Sequence, residues 1–577
     1  MYISHFQSLP WVLMKSILEY VACDQSSAQQ SSAQVTAVAL LSTCHSWRAF
    51  VISSLCSEYN ISIDRSYNAV TATLPRWPKQ MRAPSLPSTG LVKKLRVSVV
   101  QWCSVINGSA LEIFACSELS KTKFLAAHTL AVSVVDVAGI INCSTEEVDR
   151  AIEFTKDLSR LIRSMVPGVR QVDISWPNLY HVGLKKALLG FMNNATGLLY
   201  TGVRRVSFTE YGGLELPSTI QPSGQTDITH LSFRSSLSAS RFTGLARACS
   251  RSLVELVIHE FPKDPTGLLY DENNTSVVYS SLQKLYIAQA IGIQGLVLPK
   301  TQNVTHFPRL RSLEINCQYP FGDDVLLRNN ADTIEHICIP LDREFMHMNA
   351  KSNIFTPDKF KHLRSIKLLN YYGAQEMSQD DIDSIDRFVF SVSRSAAGKN
   401  LQIVRWGGLS DRKRLLYGLT HNQKLSNLRT VELSQSIFDF SEIIAILKAI
   451  PYLQRLWFSL DNNKHSVDGV VIPKLPSHLV KTHFPVGKHL NSVTFDKESK
   501  ASVKQMAEAA MMLVLVSPSL VLSSVYTGKY TGFYSAIGCA MAKDPFKKFA
   551  HRLLALVAPV SNMIQLALIL VAPVTDV

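Results

Sequence analysis

One short pattern of apolar and polar positions recurs along the chain: apolar, two residues, apolar, one residue, apolar. It reads Val92/Leu95/Val97, Val169/Val172/Ile174, Val203/Val206/Phe208, Ile228/Leu231/Phe233 and Leu253/Leu256/Ile258. It returns as Leu282/Leu285/Ile287, Leu310/Leu313/Ile315, Ile334/Ile337/Ile339 and Leu363/Ile366/Leu368. Leu401/Val404/Trp406, Leu428/Val431/Leu433, Leu453/Leu456/Phe458 and Leu490/Val493/Phe495 complete the series, with a weaker copy at Ala127/Leu130/Val132. From Val203 onward most copies begin 24 to 29 residues apart, with two steps of 37 and 38. The last two apolar positions are one residue apart, as on one face of a half-buried strand. The pattern therefore predicts a parallel-strand α/β solenoid. A strand and its return segment cannot bury their apolar face alone, whereas stacked neighbours can. At about 4.8 Å between neighbours, thirteen such strands would make a sheet roughly 60 Å long. An ordinary α/β domain with parallel strands is the competing reading.

Between the strands a charged helix is expected over Thr145–Met165 with Thr145 as its cap, and Ser240–Ala248 and Ser441–Ile450 read as helix-like or irregular return segments. In the first of these Glu146 and Glu147 sit in the opening turn, where the helix dipole favours acids. Segments 259–281, 370–400 and 459–489 read as loops or insertions. Such insertions in a solenoid tend to leave from one face, and that face is often used for binding. Arg234, His259, Tyr286 and Arg405 are expected to point outward from their strands as candidate contacts.

The ends differ from the middle. After Pro10, Leu13, Met14, Ile17, Leu18 and Val21 recur at three- and four-residue steps, giving an amphipathic helix that proline can open. A polar stretch from Gln25 to Gln34 separates it from a second helix at 35–50. At the other end, 553–574 is largely apolar but interrupted by Pro559, Ser561, Asn562, Gln565 and Pro573. It reads as a cap over the last repeat, with a membrane anchor as the alternative.

The N-terminal run Leu9-Pro10, Ile17-Leu18, Val21, Leu41 and Cys44-His45-Ser46-Trp47-Arg48 resembles the F-box. In that family a helical trio docks on the adaptor subunit of a cullin–RING ubiquitin ligase. The resemblance covers roughly residues 5–55 and implies adaptor-binding roles for Leu9, Pro10, Leu13, Ile17, Leu18 and Trp47. The alternative is that these helices only cap the solenoid. The repeats resemble the degenerate leucine-rich repeats found behind F-boxes in fungal-type substrate receptors. They depart from them in one respect: the asparagine or cysteine that closes the strand turn is mostly missing, and Gln318 and Asp461 stand at two of its positions.

The expected organisation is an F-box-like helical module at 1–55, a linker at 56–84, a degenerate leucine-rich-repeat solenoid at 85–530 and an apolar tail at 531–577. Composition agrees with a folded chain of 577 residues, 46% hydrophobic and 18% charged. The net charge of +14 is spread along the chain, and its densest local stretch is Lys543 to Arg552. That distribution reads as solvated surface rather than a nucleic-acid site. The ten cysteines include no Cys-x-x-Cys pair, so no zinc site is expected, and they read as small core residues in a reducing compartment. Phosphate-loop, dinucleotide, nucleophile-elbow and zinc-protease motifs are all missing from the sequence.

The resulting expectation is a non-enzymatic substrate receptor with no cofactor, placed in the cytoplasm or nucleus. It would hold a ubiquitin-ligase adaptor through the helical module and an unknown client protein through the solenoid. A protein-interaction scaffold without a ubiquitin role is the alternative.

Overall fold

The computed structural model describes residues 56–64, 69–74, 90–100, 117–135, 145–176, 202–210, 227–234, 239–259, 266–288, 305–317, 325–341, 359–370, 401–406, 425–438, 440–460 and 489–495, with short breaks and a few isolated positions besides. The helical module at 1–55 lies outside them apart from Ile52, as does the whole tail at 531–577. The chain divides into two compact units, Met1–Ser281 and Leu282–Val577.

In the first unit the described strands are β1 (Glu58–Asp64), β2 (Ala69–Thr73), β3 (Lys94–Val100), β4 (Thr129–Val135), β5 (Gln171–Trp176), β6 (Arg205–Glu210), β7 (His230–Arg234) and β8 (Glu255–Ile258). They form an open sheet in the order β2-β1-β3-β4-β5-β6-β7-β8. Only the β1–β2 pair is antiparallel. Its described helices are α1 (Glu118–Lys121), α2 (Thr145–Met165), α3 (Ala239–Ala248) and α4 (Thr266–Leu269).

The second unit holds β9 (Lys284–Ile287), β10 (Ser312–Ile315), β11 (His336–Leu341), β12 (Ser365–Asn370), β13 (Ile403–Trp406), β14 (Thr430–Phe438), β15 (Arg455–Leu460) and β16 (Ser492–Phe495). These are parallel and stand side by side in chain order. Two described helices accompany them, α5 (Val325–Asn329) and α6 (Phe440–Ala449). Each unit is thus an α/β, solenoid-like stack, as the apolar pattern predicts. Sequential parallel pairing follows because each copy offers the same inward pair of side chains at the same register.

The core follows the pattern closely. Val92, Leu95 and Val97 are fully buried, and so are Leu253, Leu256 and Ile258, and Leu363 and Ile366. Burying one such side chain contributes about 1.5–3 kcal/mol. The structure adds a further buried position, three residues before the first apolar one. Phe124, Val166, Tyr279, Phe307, Phe360, Leu425 and Ile450 occupy it and fill the turn into each strand. Phe360 adopts a left-handed backbone there (φ 56°), uncommon for a bulky side chain, and its complete burial holds it in place.

One expectation is corrected. The stretch 56–84, read as a linker, carries β1 and β2. Cys56, Tyr59 and Ile61 form a further copy of the pattern, and all three are buried. Cysteine and tyrosine in the first two slots conceal it, because neither is a typical repeat aliphatic, yet both fill space as well as leucine does. Burial pushes the Cys56 thiol and the Tyr59 phenol upward from their ordinary pKa values, so both stay neutral in the core. The expected helix at Thr145–Met165 is α2, and the segments 240–248 and 441–450, read as helix-like or irregular, hold α3 and α6.

Candidate interaction surface

Strands whose inward positions are apolar must present the intervening residues outward. In-register stacking then turns those residues into rows that cross the strands. Four rows matter: the residue before each strand and the first, third and fifth strand residues.

The first row is positioned by a repeating backbone device at the leading edge of the sheets. The carbonyl of the residue before one strand accepts two N–H groups from the next repeat. Arg170 O takes Arg204 N (2.8 Å) and Arg205 N (2.9 Å), and Arg204 O takes Thr229 N (2.8 Å) and His230 N (3.0 Å). In the second unit Arg311 O takes Glu335 N (2.7 Å) and His336 N (2.9 Å), and Arg364 O takes Gln402 N (2.7 Å) and Ile403 N (3.0 Å). A carbonyl has two lone pairs, so both are used. The chain therefore satisfies its strand starts with backbone alone. Thr229 Oγ1 adds a side-chain bond to Arg204 O (3.1 Å), while the side chains of Lys93, Arg170 and Arg204 make no hydrogen bond among the described residues and are fixed at their base. The turn-closing positions Gln318 and Asp461 lie outside the described residues.

In the first unit this row reads Lys93, His128, Arg170, Arg204, Thr229 and Val254, leading into β3 to β8. Lys93, Arg170, Arg204 and the adjoining Arg205 are exposed. Nearby charges are engaged: Arg96 pairs with Glu58 (2.9 Å), His230 lies 3.7 Å from Glu255, and Asp173 accepts the Gln171 amide at 3.2 and 3.3 Å. Deeper along the strands Ser62, Ser98, Ser133, Ser175 and Thr209 fall in register as a row of hydroxyls. Ser98 and Ser133 are hydrogen-bonded, Oγ to Oγ, at 2.8 Å.

The second unit treats the same positions differently. Glu335 stands between Arg311 (3.4 Å) and Arg364 (3.8 Å) and offsets one of their two charges. The Arg429 guanidinium lies 4.9 Å from the Tyr452 ring centre and donates to the Tyr452 carbonyl at 3.2 Å. Inside this edge is a polar cluster: Asn316 Nδ2 donates to Tyr286 Oη (3.1 Å) and Glu314 Oε1 (3.2 Å), and the Cys338 thiol donates to Asn316 Oδ1 (3.4 Å).

Of the outward residues anticipated from sequence, Tyr286 belongs to that cluster. His259 is half-buried at the end of β8, its N–H donating to Phe233 O at 2.9 Å. Arg234 and Arg405 are placed by backbone register, opposite Thr209 in the first unit and opposite Lys367 and Glu432 in the second. The six adaptor-binding candidates Leu9, Pro10, Leu13, Ile17, Leu18 and Trp47 lie outside the described residues. The basic leading edge of the first unit was not singled out from sequence. Its signal was present, since Lys93-Lys94 and Arg204-Arg205 occupy the two polar slots between the first and second apolar positions of the pattern.

The first unit also holds a cleft of about 580 Å³ lined by Arg247, Ser250, Arg251, Asp271, Asn273 and Val278, among others. Two of its charged groups, Arg247 and Asp271, serve the fold. Arg247 donates to Tyr270 O (3.0 Å), and the Asp271 carboxylate accepts from the N–H groups of Asn273 (2.9 Å) and Thr275 (2.7 Å). Beneath it Tyr279 donates to Leu268 O (2.9 Å), and complete burial raises its pKa far above the usual value.

Among the described residues no group of three or more His, Cys, Asp or Glu side chains could hold a metal ion, and no helix is long and apolar enough to cross a membrane. The segment 553–574 lies outside those residues. No protein-family model matches the chain, and comparison with curated proteins returns no match.

Proposed function

We propose that this chain is a non-catalytic recognition protein that presents a client to a cullin–RING ubiquitin ligase. In this reading the F-box-like segment 1–55 docks on the adaptor through Leu9, Pro10, Leu13, Ile17, Leu18 and Trp47. The outward rows of the solenoid-like units bind the client. The ligase then acts by proximity, bringing a charged ubiquitin carrier close to a client lysine.

The observation that carries the recognition half is the self-sufficient backbone ladder at the strand starts. It fixes the backbone beneath the outward rows and leaves Lys93, Arg170 and Arg204 with no side-chain hydrogen bond among the described residues, which suits binding by a preorganised surface. Support for the ligase half comes from the N-terminal sequence resemblance.

Co-purification of the adaptor with the full chain is the direct test. The wild-type chain should retain it, and a Leu9→Ala/Trp47→Ala variant should lose most of it. Equal recovery from both would leave a scaffold without a ubiquitin role.

A further inference from the structure

We propose that the leading edge of the first unit is a binding surface for an acidic polypeptide segment, held by Lys93, Arg170, Arg204 and Arg205. This deepens the recognition reading above and rests on it, because it assigns a chemistry to part of the client.

Charge is the first argument. Among the described residues, no carboxylate pairs with any of these four cations, whereas Arg311 and Arg364 in the corresponding row of the second unit share Glu335. Two acids on the same face have partners of their own, Glu58 in an ion pair with Arg96 and Asp173 in a hydrogen bond with the Gln171 amide, which leaves the Asp173 charge in place. An unneutralised row of this kind attracts anions and steers their approach.

Geometry is the second. Lys93, Arg170 and Arg204 stand on the ladder with His128 between the first two. At about 4.8 Å per strand the row spans roughly 14 Å, and an extended chain rising about 3.3 Å per residue crosses it with four or five residues. Carboxylates on such a segment meet cations whose long stems absorb the mismatch of spacing.

The third argument separates polypeptide from nucleic acid. The outward positions of β3 to β6 are Lys94, Arg96, Ser98, Thr129, Ala131, Ser133, Gln171, Asp173, Ser175, Arg205, Ser207 and Thr209, without an aromatic ring, so that His128 in the leading row offers the single ring among these positions on which a base could stack. Leu125, 70% exposed in the turn leading to β4, instead offers an apolar contact that a polypeptide can use.

The test uses the purified full chain and a fluorescein-labelled oligoglutamate of about eight residues, long enough to cross the row. Anisotropy at low salt should show binding that weakens as salt is raised. Arg170→Gln/Arg204→Gln should weaken it by about tenfold and Arg311→Gln/Arg364→Gln by less than about twofold, since Glu335 offsets part of the charge of the second pair and lies between its members. Arg170→Lys/Arg204→Lys should restore most of the affinity, which separates charge from folding. The proposal is overturned if the peptide does not bind, if both glutamine variants weaken it equally, or if an oligothymidylate binds more tightly through the same arginines. None of these outcomes depends on the adaptor, so the surface can fail while adaptor co-purification stands, and the reverse.

Discussion

The two units use one repeat pattern and one backbone ladder, but they differ in what they do with the side chains that the ladder releases. In the first unit Arg170 and Arg204 project from the leading edge with no carboxylate partner among the described residues, and a row of serine and threonine hydroxyls crosses the same strands further along. In the second, Glu335 ties down Arg311 and Arg364, Tyr452 holds Arg429, and the hydroxyl row gives way to Asn316, Pro340 and Leu369 in the corresponding register. Inside, the units are alike: Leu231 and Leu456 are each 1% exposed. Position within the repeat therefore determines burial, and the neighbouring repeat determines whether an outward charge is available.

Variants can break or sharpen this contrast. The largest expected effect tests the likeness of the interiors. Leu231→Ala and Leu456→Ala should each cost about 2–5 kcal/mol in chemical denaturation, as large-to-small changes in a close-packed core do. A much smaller loss in one unit would mean that its interior is built differently.

Glu335→Gln tests the exteriors. Glu335 is 22% exposed between two arginines that are mostly exposed, so its loss should cost only about 0.5–1 kcal/mol. It should also free Arg311 and Arg364, raising oligoglutamate affinity by about threefold. Unchanged affinity would mean that free arginines at this edge are not enough.

The smallest effect is with pH. His336 is held below the ordinary histidine value of 6.5, first by burial and then by Arg364 and Lys284, with Glu335 opposing. The unfolded chain takes up this proton before the folded one as pH falls. The contribution is thus intact above pH 6.5 and is lost as pH drops through the lower, folded value. His336→Gln should flatten the acid side of a thermal-stability profile, and an unaltered profile would remove His336 from the account.

Much of the fold was legible in the sequence because burial is periodic. Leu282, Leu285 and Ile287 announce β9 through spacing alone, and Glu146 and Glu147 announce the start of α2 through their charge. The missed strand β1 shows the limit: Cys56 and Tyr59 fill core positions, but their chemistry does not advertise it. The buried turn position held by Phe307 and Phe360 was missed for a related reason, since it lies outside the strand whose period was being read. The candidate surface was less legible. Lys93 and Arg170 are 77 residues apart in sequence, and the one stretch singled out for dense charge, Lys543 to Arg552, was found by counting neighbours along the chain.

By itself, then, the sequence determined the repeat, the parallel α/β class and which side chains face inward, because these follow from local periodicity and the cost of exposing apolar surface. Only the tertiary structure decided which cations stand side by side and which are neutralised, because a charge acts on whatever lies within a few ångströms of it in space. Stacking places residues from separate repeats at that distance, and no local pattern along the chain records the pairing.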